Sequence, residues 1–465
     1  MAEKLSTLQK ALNINLDDGL YGSFAEIGAG QEVVRWFFQA GGAAGTISKS
    51  ISAYDMQVSD AIYGDCERYV SRQRLEAMLD YEQQLNRERL AERRGESTAF
   101  FTFADTVSAR NYHGTNECHA WMGLRFQLRA GEPDSSIIIH IRLLDDNNAA
   151  QQDAAGIVGV NLIHAAYRLH DDPEAMVGAL ADNLSRARIE VDMIDVRGPA
   201  FDSVDNRILS LRLVELGLSG AAMFSSDGTV LQPSEALRKK PLLIQRGRFR
   251  PLTHVNMDML QASMARFEQV ADVAPGETMP IMEISMHNLK EDANVCLEDF
   301  LSRAGAVSVT GCTVMISDYQ EYYRLAAYLY RYTHRPIGIA MGLETLKSLF
   351  DESYYEDLDG GILESFGRLF KNQLKLLVYP VQNADTGNID SIEALELADG
   401  LDHLLNHLRA RDCVLPLDNV STEHLHIYSH DVLRMIAAGD QSWERKVPTA
   451  VAEKIRADKL FGFRG

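Results

Sequence analysis

The segment from Gly311 to Gly342, GCTVMISDYQEYYRLAAYLYRYTHRPIGIAMG, restricts the fold more than any other stretch of the chain. TVMIS, Thr313 to Ser317, is a short apolar run with β-branched residues, as a strand buried on both faces requires. A helix follows, capped either by Ser317 with Gln320 or by Asp318 with Glu321. Its residues Tyr322, Leu325, Ala326 and Leu329 fall at i, i+3, i+4 and i+7 and form one apolar stripe. Pro336 forbids continuation, and IGIAMG begins a second buried strand at once. Two strands joined by a single crossover helix return to the same end of a sheet. The spacing predicts that they run parallel, adjacent or separated by one strand.

The same alternation extends over most of the chain. AFFTFAD, AWMGLRFQL and SSIIIHIRLL read as three strands, the last two forming a hairpin around RAGEPD. Further strands are expected at 137–144, 189–196, 221–224, 241–245, 281–286, 313–317, 337–341 and 374–379, mostly separated by helices. This predicts an α/β protein with mostly parallel sheets and flanking helices, in two lobes dividing near 272–280. Residues 1–95 and 381–465 read as mainly helical regions around an α/β core at 96–380. Eight strands also suit a (β/α)8-like barrel, but the connection from Phe224 to Pro241 is short for a crossover helix, which favours open sheets.

The 465-residue chain carries 66 acidic and 46 basic residues, a net charge of −20. That charge disfavours nucleic acid and anionic membrane as partners, and no local basic patch opposes it. The five cysteines include no CxxC pair, so neither a disulfide framework nor a cysteine zinc site is expected, and a reducing cytoplasm is the expected compartment. The N-terminal residues lack the apolar core of a signal peptide, and no apolar run is long enough to span a bilayer. The aromatic-rich stretches YYRLAAYLYRY and VVRWFF carry more apolar surface than one helix face needs, which predicts a homo-oligomer.

Several strings resemble reaction motifs and lack their decisive residues. FAEIGAG approaches the dinucleotide loop, with Gln31 and Glu32 where the third glycine belongs. GGAAGTISKS approaches a P-loop, with Ser48 in place of the glycine before the lysine. Both read as helix ends and close-packing points. HLHIYSHD has no HExxH glutamate, DESYYEDLDGG lacks the order of a calcium loop, and Gly-x-Ser-x-Gly does not occur. No metal site is predicted and no cofactor is assigned.

The residues with the strongest claim to chemistry lie around the hairpin and at strand ends. Residues i and i+2 of a strand share a face, so pairing the hairpin strands gathers Arg125, Gln127, His140 and Arg142. Cations clustered in so acidic a chain call for an anionic ligand or for acidic partners on a neighbouring helix. The preceding ARNYHGTNECHAW contributes Glu117 and His119 as groups able to move protons. Cys118 and His119, adjacent in a strand, point to opposite faces. In open α/β sheets, ligands bind beyond the carboxyl ends of the strands. Those ends are Asp145, Asp195, Ser225, Arg246, His287, Asp318 and Gly342, expected to line one pocket with Arg125 and Arg142 at its rim. Asp318 is the pivot and the catalytic candidate.

YGSFAEIGAGQEVVRWFFQAGGAAGTISKSISAYDM, TVSARNYHGTNECHAWMGLRFQ and GGILESFGRLFKNQLKLLVYP resemble a family of cyanobacterial and proteobacterial proteins of similar length. Its members carry conflicting labels, among them nicotinate-nucleotide adenylyltransferase and TonB-dependent receptor. The HxGH motif of the former and the membrane strands of the latter are absent here. The resemblance therefore implies no catalytic residue. The residues point to an enzyme of unassigned reaction that binds a phosphorylated or nucleotide-like metabolite. The alternative is a non-catalytic oligomeric scaffold or regulator.

Overall fold

The computed structural model describes residues 4–291, 294–383, 387–398 and 400–464. The chain separates into two compact units between Gly220 and Ala221. The sequence placed this division near 272–280. That stretch instead joins a helix to a strand inside one sheet, because the strands on either side of it, 242–246 and 279–285, are hydrogen-bonded neighbours.

The first unit is built on a six-stranded sheet of β1 (Leu20–Gly28), β2 (Ile47–Ile51), β3 (Ala99–Ser108), β4 (His119–Phe126), β5 (Ser135–Leu143) and β6 (Ile189–Arg197), in the order β2-β1-β3-β4-β5-β6. β2, β1 and β3 are parallel. β4, β5 and β6 then alternate in direction, with β4 and β5 forming the expected hairpin.

Helices α1 (Thr7–Asn15), α2 (Glu32–Ala40) and α5 (Asn148–Arg168) pack together and share one core with Phe24, Phe103, Met122 and Ile139 of the sheet. Helix α4 (Arg72–Arg94) packs on β1, β3 and β4, with Leu75 and Leu79 against Gly123; α3 (Met56–Tyr63) precedes it. Helices α6 (Pro173–Ala179) and α7 (Asn206–Glu215) complete the unit.

Region 1–95 is thus not helical throughout. β1 was missed because it carries Gly22, Ser23 and Ala25 where β-branched residues would mark a strand. Gly22 is required there, since a Cβ would lie 2.5 Å from the Phe101 ring.

The second unit has an eight-stranded sheet: β7 (Ala221–Phe224), β8 (Val230–Leu231), β9 (Leu242–Arg246), β10 (Met279–Ser285), β11 (Thr313–Ser317), β12 (Ile337–Gly342), β13 (Lys375–Tyr379) and β14 (Val414–Pro416). The order is β14-β13-β12-β9-β10-β11-β7-β8. The six strands from β14 to β11 are parallel, and β7 and β8 are antiparallel additions at one edge. Both sheets are open, so the barrel alternative does not apply.

β11 and β12 run parallel as expected, but two strands, β9 and β10, lie between them instead of one or none. The helix joining β11 to β12 therefore spans more of the sheet than predicted. That helix, α10 (Tyr322–Leu329), starts after Glu321, which makes no side-chain cap bond; Ser317 is turned instead toward Glu283. α10 packs against the sheet core together with α11 (Leu343–Leu349), α12 (Gly361–Leu369) and α13 (Leu401–Ala410).

Phe267 of α8 (His254–Val270) lies against Leu243 and Leu377 at Gly338. α9 (Leu297–Ser308) packs on β11 and on the last helix of the chain. The aromatic stretches that motivated self-association are largely core: Tyr323, Tyr328, Val33, Val34 and Phe37 are buried, while Phe38 is exposed.

No helix among the described residues is long and apolar enough to cross a membrane, and no group of three or more metal-ligating side chains is found among them.

Candidate functional site

In the second sheet, the chain moves from β9 to β10 to β11 in one direction and then returns across the sheet to β12 on the far side of β9. The strand order reverses between β9 and β12. Loops leaving the two strands diverge at such a point and open a crevice beyond their carboxyl ends. A cleft of about 510 Å³ lies at this end of the sheet, lined among others by Arg246, Arg248, His287, Gln320, Tyr322 and Thr345.

The wall of the cleft rests on a buried ion pair. Arg246 Nε donates to Glu283 Oε2 at 2.5 Å and its Nη2 to Oε1 at 3.0 Å. Its remaining donors reach the carbonyls of Tyr319 and Gln320, both at 2.7 Å. Burial alone would lower the Arg246 pKa; the Glu283 carboxylate reverses this and holds it above the ordinary value. Ser317 Oγ donates to the same carboxylate at 2.5 Å. The guanidinium also covers the Tyr322 ring, 4.5 Å from its centroid, and burial pushes that phenol up to about 12.

Three strands and the loop after β11 are tied together by these contacts, which take four of the five N–H groups of Arg246. Arg248, two residues on, is exposed and its guanidinium pairs with none of the described residues. Arg248 gives the cleft its cationic side, with the exposed His287 beside it; Glu321 is occupied by Arg324 at 3.2 Å.

The expected single pocket does not form from all seven strand ends. β5 and β6 are antiparallel, so Asp145 and Asp195 lie at opposite ends of the first sheet. Ser225 follows β7, which runs against β11, and so leaves the sheet opposite Asp318. Arg246 and His287 line the cleft; Asp318 is exposed in the loop beside it and Gly342 ends β12. Arg125 and Arg142 belong to the other unit.

Arg125 pairs with Asp80 of α4 at 2.7 Å, and Arg142 with Glu190 at 2.5 Å. Asp145 accepts from Arg188 at 2.8 Å. Gln127 ties the end of β4 to β3, accepting from the Phe100 amide at 2.9 Å and donating to the Glu132 carbonyl at 2.6 Å. Glu117 is exposed and its carbonyl accepts from Ser108.

His119 and His140 do meet. His119 Nδ1 lies 2.9 Å from His140 Nε2, and His140 Nδ1 lies 2.6 Å from Asp192 Oδ1. All three side chains are buried. Asp192 was missed because it occupies a bulge between β5 and β6 that the strand period does not reveal.

Glu26 and Asp105 were missed as well. FAEIGAG is a strand leading into a helix, as a nucleotide loop would be, but its anion is internal. Glu26 accepts from the amides of Gln31, Val33 and Val34 at 3.2, 2.9 and 3.2 Å and occupies the N-terminus of α2.

No protein-family model matches the chain, and no curated protein matches it. It is similar in part to several solved structures, two of which serve as examples. One is the competence/damage-inducible protein CihA from Agrobacterium tumefaciens, at 16% identity over 36% of this chain and 98% of that one, with a TM-score of 0.26. The other is a competence-damaged protein (CinA) superfamily protein from Klebsiella pneumoniae, at 12% identity over 35% and 98%, with a TM-score of 0.27. Similarity of this extent carries no argument about the chemistry of the chain.

Proposed function

We propose that the chain binds a phosphorylated or nucleotide-like metabolite in the cleft of the second unit and acts on it as an enzyme. One observation carries this reading. The strand-order reversal opens a cleft whose structural arginine is held by Glu283 and two carbonyls and whose second arginine, Arg248, has no anion to pair with among the described residues. A guanidinium with no partner among the described residues, beside His287 and the Tyr322 ring, suits an anionic group joined to a flat ring.

Titration calorimetry of the full chain with ADP and with pyrophosphate tests it. Saturable binding weakened roughly tenfold to hundredfold by Arg248→Ala is expected, the value of a hydrogen bond to a charged group. A non-catalytic scaffold predicts no binding of either compound at millimolar concentration, and that result removes the reading.

A further inference from the structure

We propose that copies of the chain dock head to tail through the second unit, the cationic amino-end face of its sheet in one copy meeting the acidic run Asp351 to Asp359 of the next. This contact does not depend on what the cleft binds.

The strands from β14 to β11 are parallel, so all six begin at one end of the sheet and finish at the other. The loops entering four neighbouring strands, β9, β12, β13 and β14, therefore lie side by side. Hydrogen bonds join them. Thr333 Oγ1 donates to the Lys240 carbonyl at 2.7 Å, the Leu242 amide to the Pro336 carbonyl at 3.1 Å, and the Leu376 amide to the Cys413 carbonyl at 2.8 Å.

Three of these loops carry exposed cations: Arg238, Lys239 and Lys240 before β9, Lys371 before β13 and Arg411 before β14. None of the five makes an ion pair or a side-chain hydrogen bond among the described residues. Of the acids at this end, Glu277 is taken by Arg335 at 3.0 Å, which leaves Asp272 and Asp412. The face is thus cationic in a chain of net charge −20. No single window of the sequence shows it, because the sheet assembles it from separate loops.

The opposite end has the opposite sign. Asp351, Glu352, Glu356, Asp357 and Asp359 lie between α11 and α12, all exposed, and none is in an ion pair among the described residues. Tyr354 and Tyr355 of the same run line the cleft, which places these carboxylates at the carboxyl ends of the strands. The neighbouring helices do not neutralise them: Arg324 is held by Glu321 at 3.2 Å and Arg368 by Glu364 at 2.5 Å.

Five free cations and five free carboxylates are therefore kept apart by the length of the strands within one copy, and complement each other between copies. A long polyanion such as nucleic acid suits the cationic face less well, since the rest of the chain repels it. A short acidic run matches the patch in size and in number of charges. The two docking faces differ, so the contact is heterologous: each docking step leaves one end free, and growth passes beyond a dimer unless a ring closes. Attraction between exposed charges of this kind is screened by salt.

Sedimentation velocity of the full chain tests the proposal, over about 5–200 μM protein and at about 50 mM and 500 mM salt. The average mass is expected to rise with concentration at low salt and to return to that of the single chain at high salt. Arg238→Glu with Lys240→Glu reverses the cationic end; Glu356→Lys with Asp357→Lys reverses the acidic end. Each pair should weaken association at least tenfold, because like charges then face each other, and should melt as the parent does. An equimolar mixture of the two variants should associate again, since the unaltered end of each fits the unaltered end of the other. Where one variant fails to fold, the other and the salt response of the parent decide. A parent that stays a single chain at 200 μM and low salt, a reversed variant that associates like the parent, or a mixture without recovery overturns the proposal. Saturable binding of a short single-stranded DNA by the parent, lost on reversing the cationic end and unaccompanied by self-association, assigns the face to nucleic acid and overturns it as well.

Discussion

Glu26 and Asp105 stand directly opposite each other on the parallel strands β1 and β3, and both are buried. Glu26 takes three amides at the N-terminus of α2, whereas the Ile27 amide alone acts on the Asp105 carboxyl, too weakly to offset its burial. Two carboxyls at this distance from water cannot both ionise at low cost. Burial pushes Glu26 up to about 7 despite its three amides, and burial followed by the Glu26 charge holds Asp105 well above the ordinary carboxylate range.

A pH dependence of stability follows from this pair. A carboxyl whose folded pKa exceeds its unfolded value binds more protons when folded, so its contribution falls as pH rises between the two values. His119 and His164, lowered to about 3 and 4, act in the opposite direction but are complete once pH passes their unfolded value near 6.5. The window that isolates the carboxyls therefore lies above the unfolded histidine value, where Glu26, at about 7, gives up its proton beside the raised Asp105. Urea denaturation of the parent should show stability decreasing from pH 7 to pH 9, by on the order of 1–3 kcal/mol. Asp105→Asn should remove most of that slope. A parent curve flat across this range would show that the pair does not carry the proton.

Gly30 closes over the same carboxyl. A Cβ there would lie 2.2 Å from Asp105 Oδ1, and the carboxyl has no solvent to retreat into. Gly30→Ala should cost about 1–3 kcal/mol, the usual range for overpacking. Combined with Asp105→Ala, which vacates the space, the cost should largely vanish. A double-mutant cycle with no coupling would place the strain elsewhere.

Elements whose sequence and burial agreed were legible. β11 and β12 are continuous apolar runs buried on both faces, and their bounds match the sequence reading closely. β1 was not, since its small residues serve close packing against Phe101 and carry no strand signal. Strand order was illegible at the one point that matters for the cleft, because the length of α10 does not say how many strands it crosses. The buried acids had a signal that went unread. Glu26 in FAEIG, Asp105 in FADTV, Asp192 in VDMID and Glu283 in IMEIS each interrupt an apolar strand, and all four are buried. An acid in the middle of such a run must find a partner or keep its proton. His119 and His140 were legible as polar residues at strand positions, but their contact depended on the hairpin register, which pairs His119 with Arg142 and His140 with Trp121.

Glu283 provides a third measurement. Its carboxylate is wholly buried, and its removal leaves Arg246 with carbonyl partners only. Glu283→Ala should destabilise by about 3–5 kcal/mol, the cost of leaving one member of a buried pair uncompensated. Glu283→Gln keeps the shape and one acceptor and should cost less. A difference between the two variants of less than about 0.5 kcal/mol would mean that charge compensation of Arg246 is unimportant, since surface changes alone reach that size.

Arg125 and Arg142 separate an exposed ion pair from a sheltered one. The Asp80 partner of Arg125 is 62% exposed, so the pair is well hydrated and screened by salt. Arg142 and Glu190 are 22% and 12% exposed and sit across β5 and β6 as register partners. Arg125→Ala should change stability by less than about 1 kcal/mol. Arg142→Ala leaves the Glu190 carboxylate without its guanidinium and should cost about 1–3 kcal/mol. Adding 0.5 M salt should reduce the Arg125 effect further and leave most of the Arg142 effect in place, because sheltered pairs are screened less. Equal losses for the two variants, or equal salt responses, would show that burial does not set the value of these ion pairs.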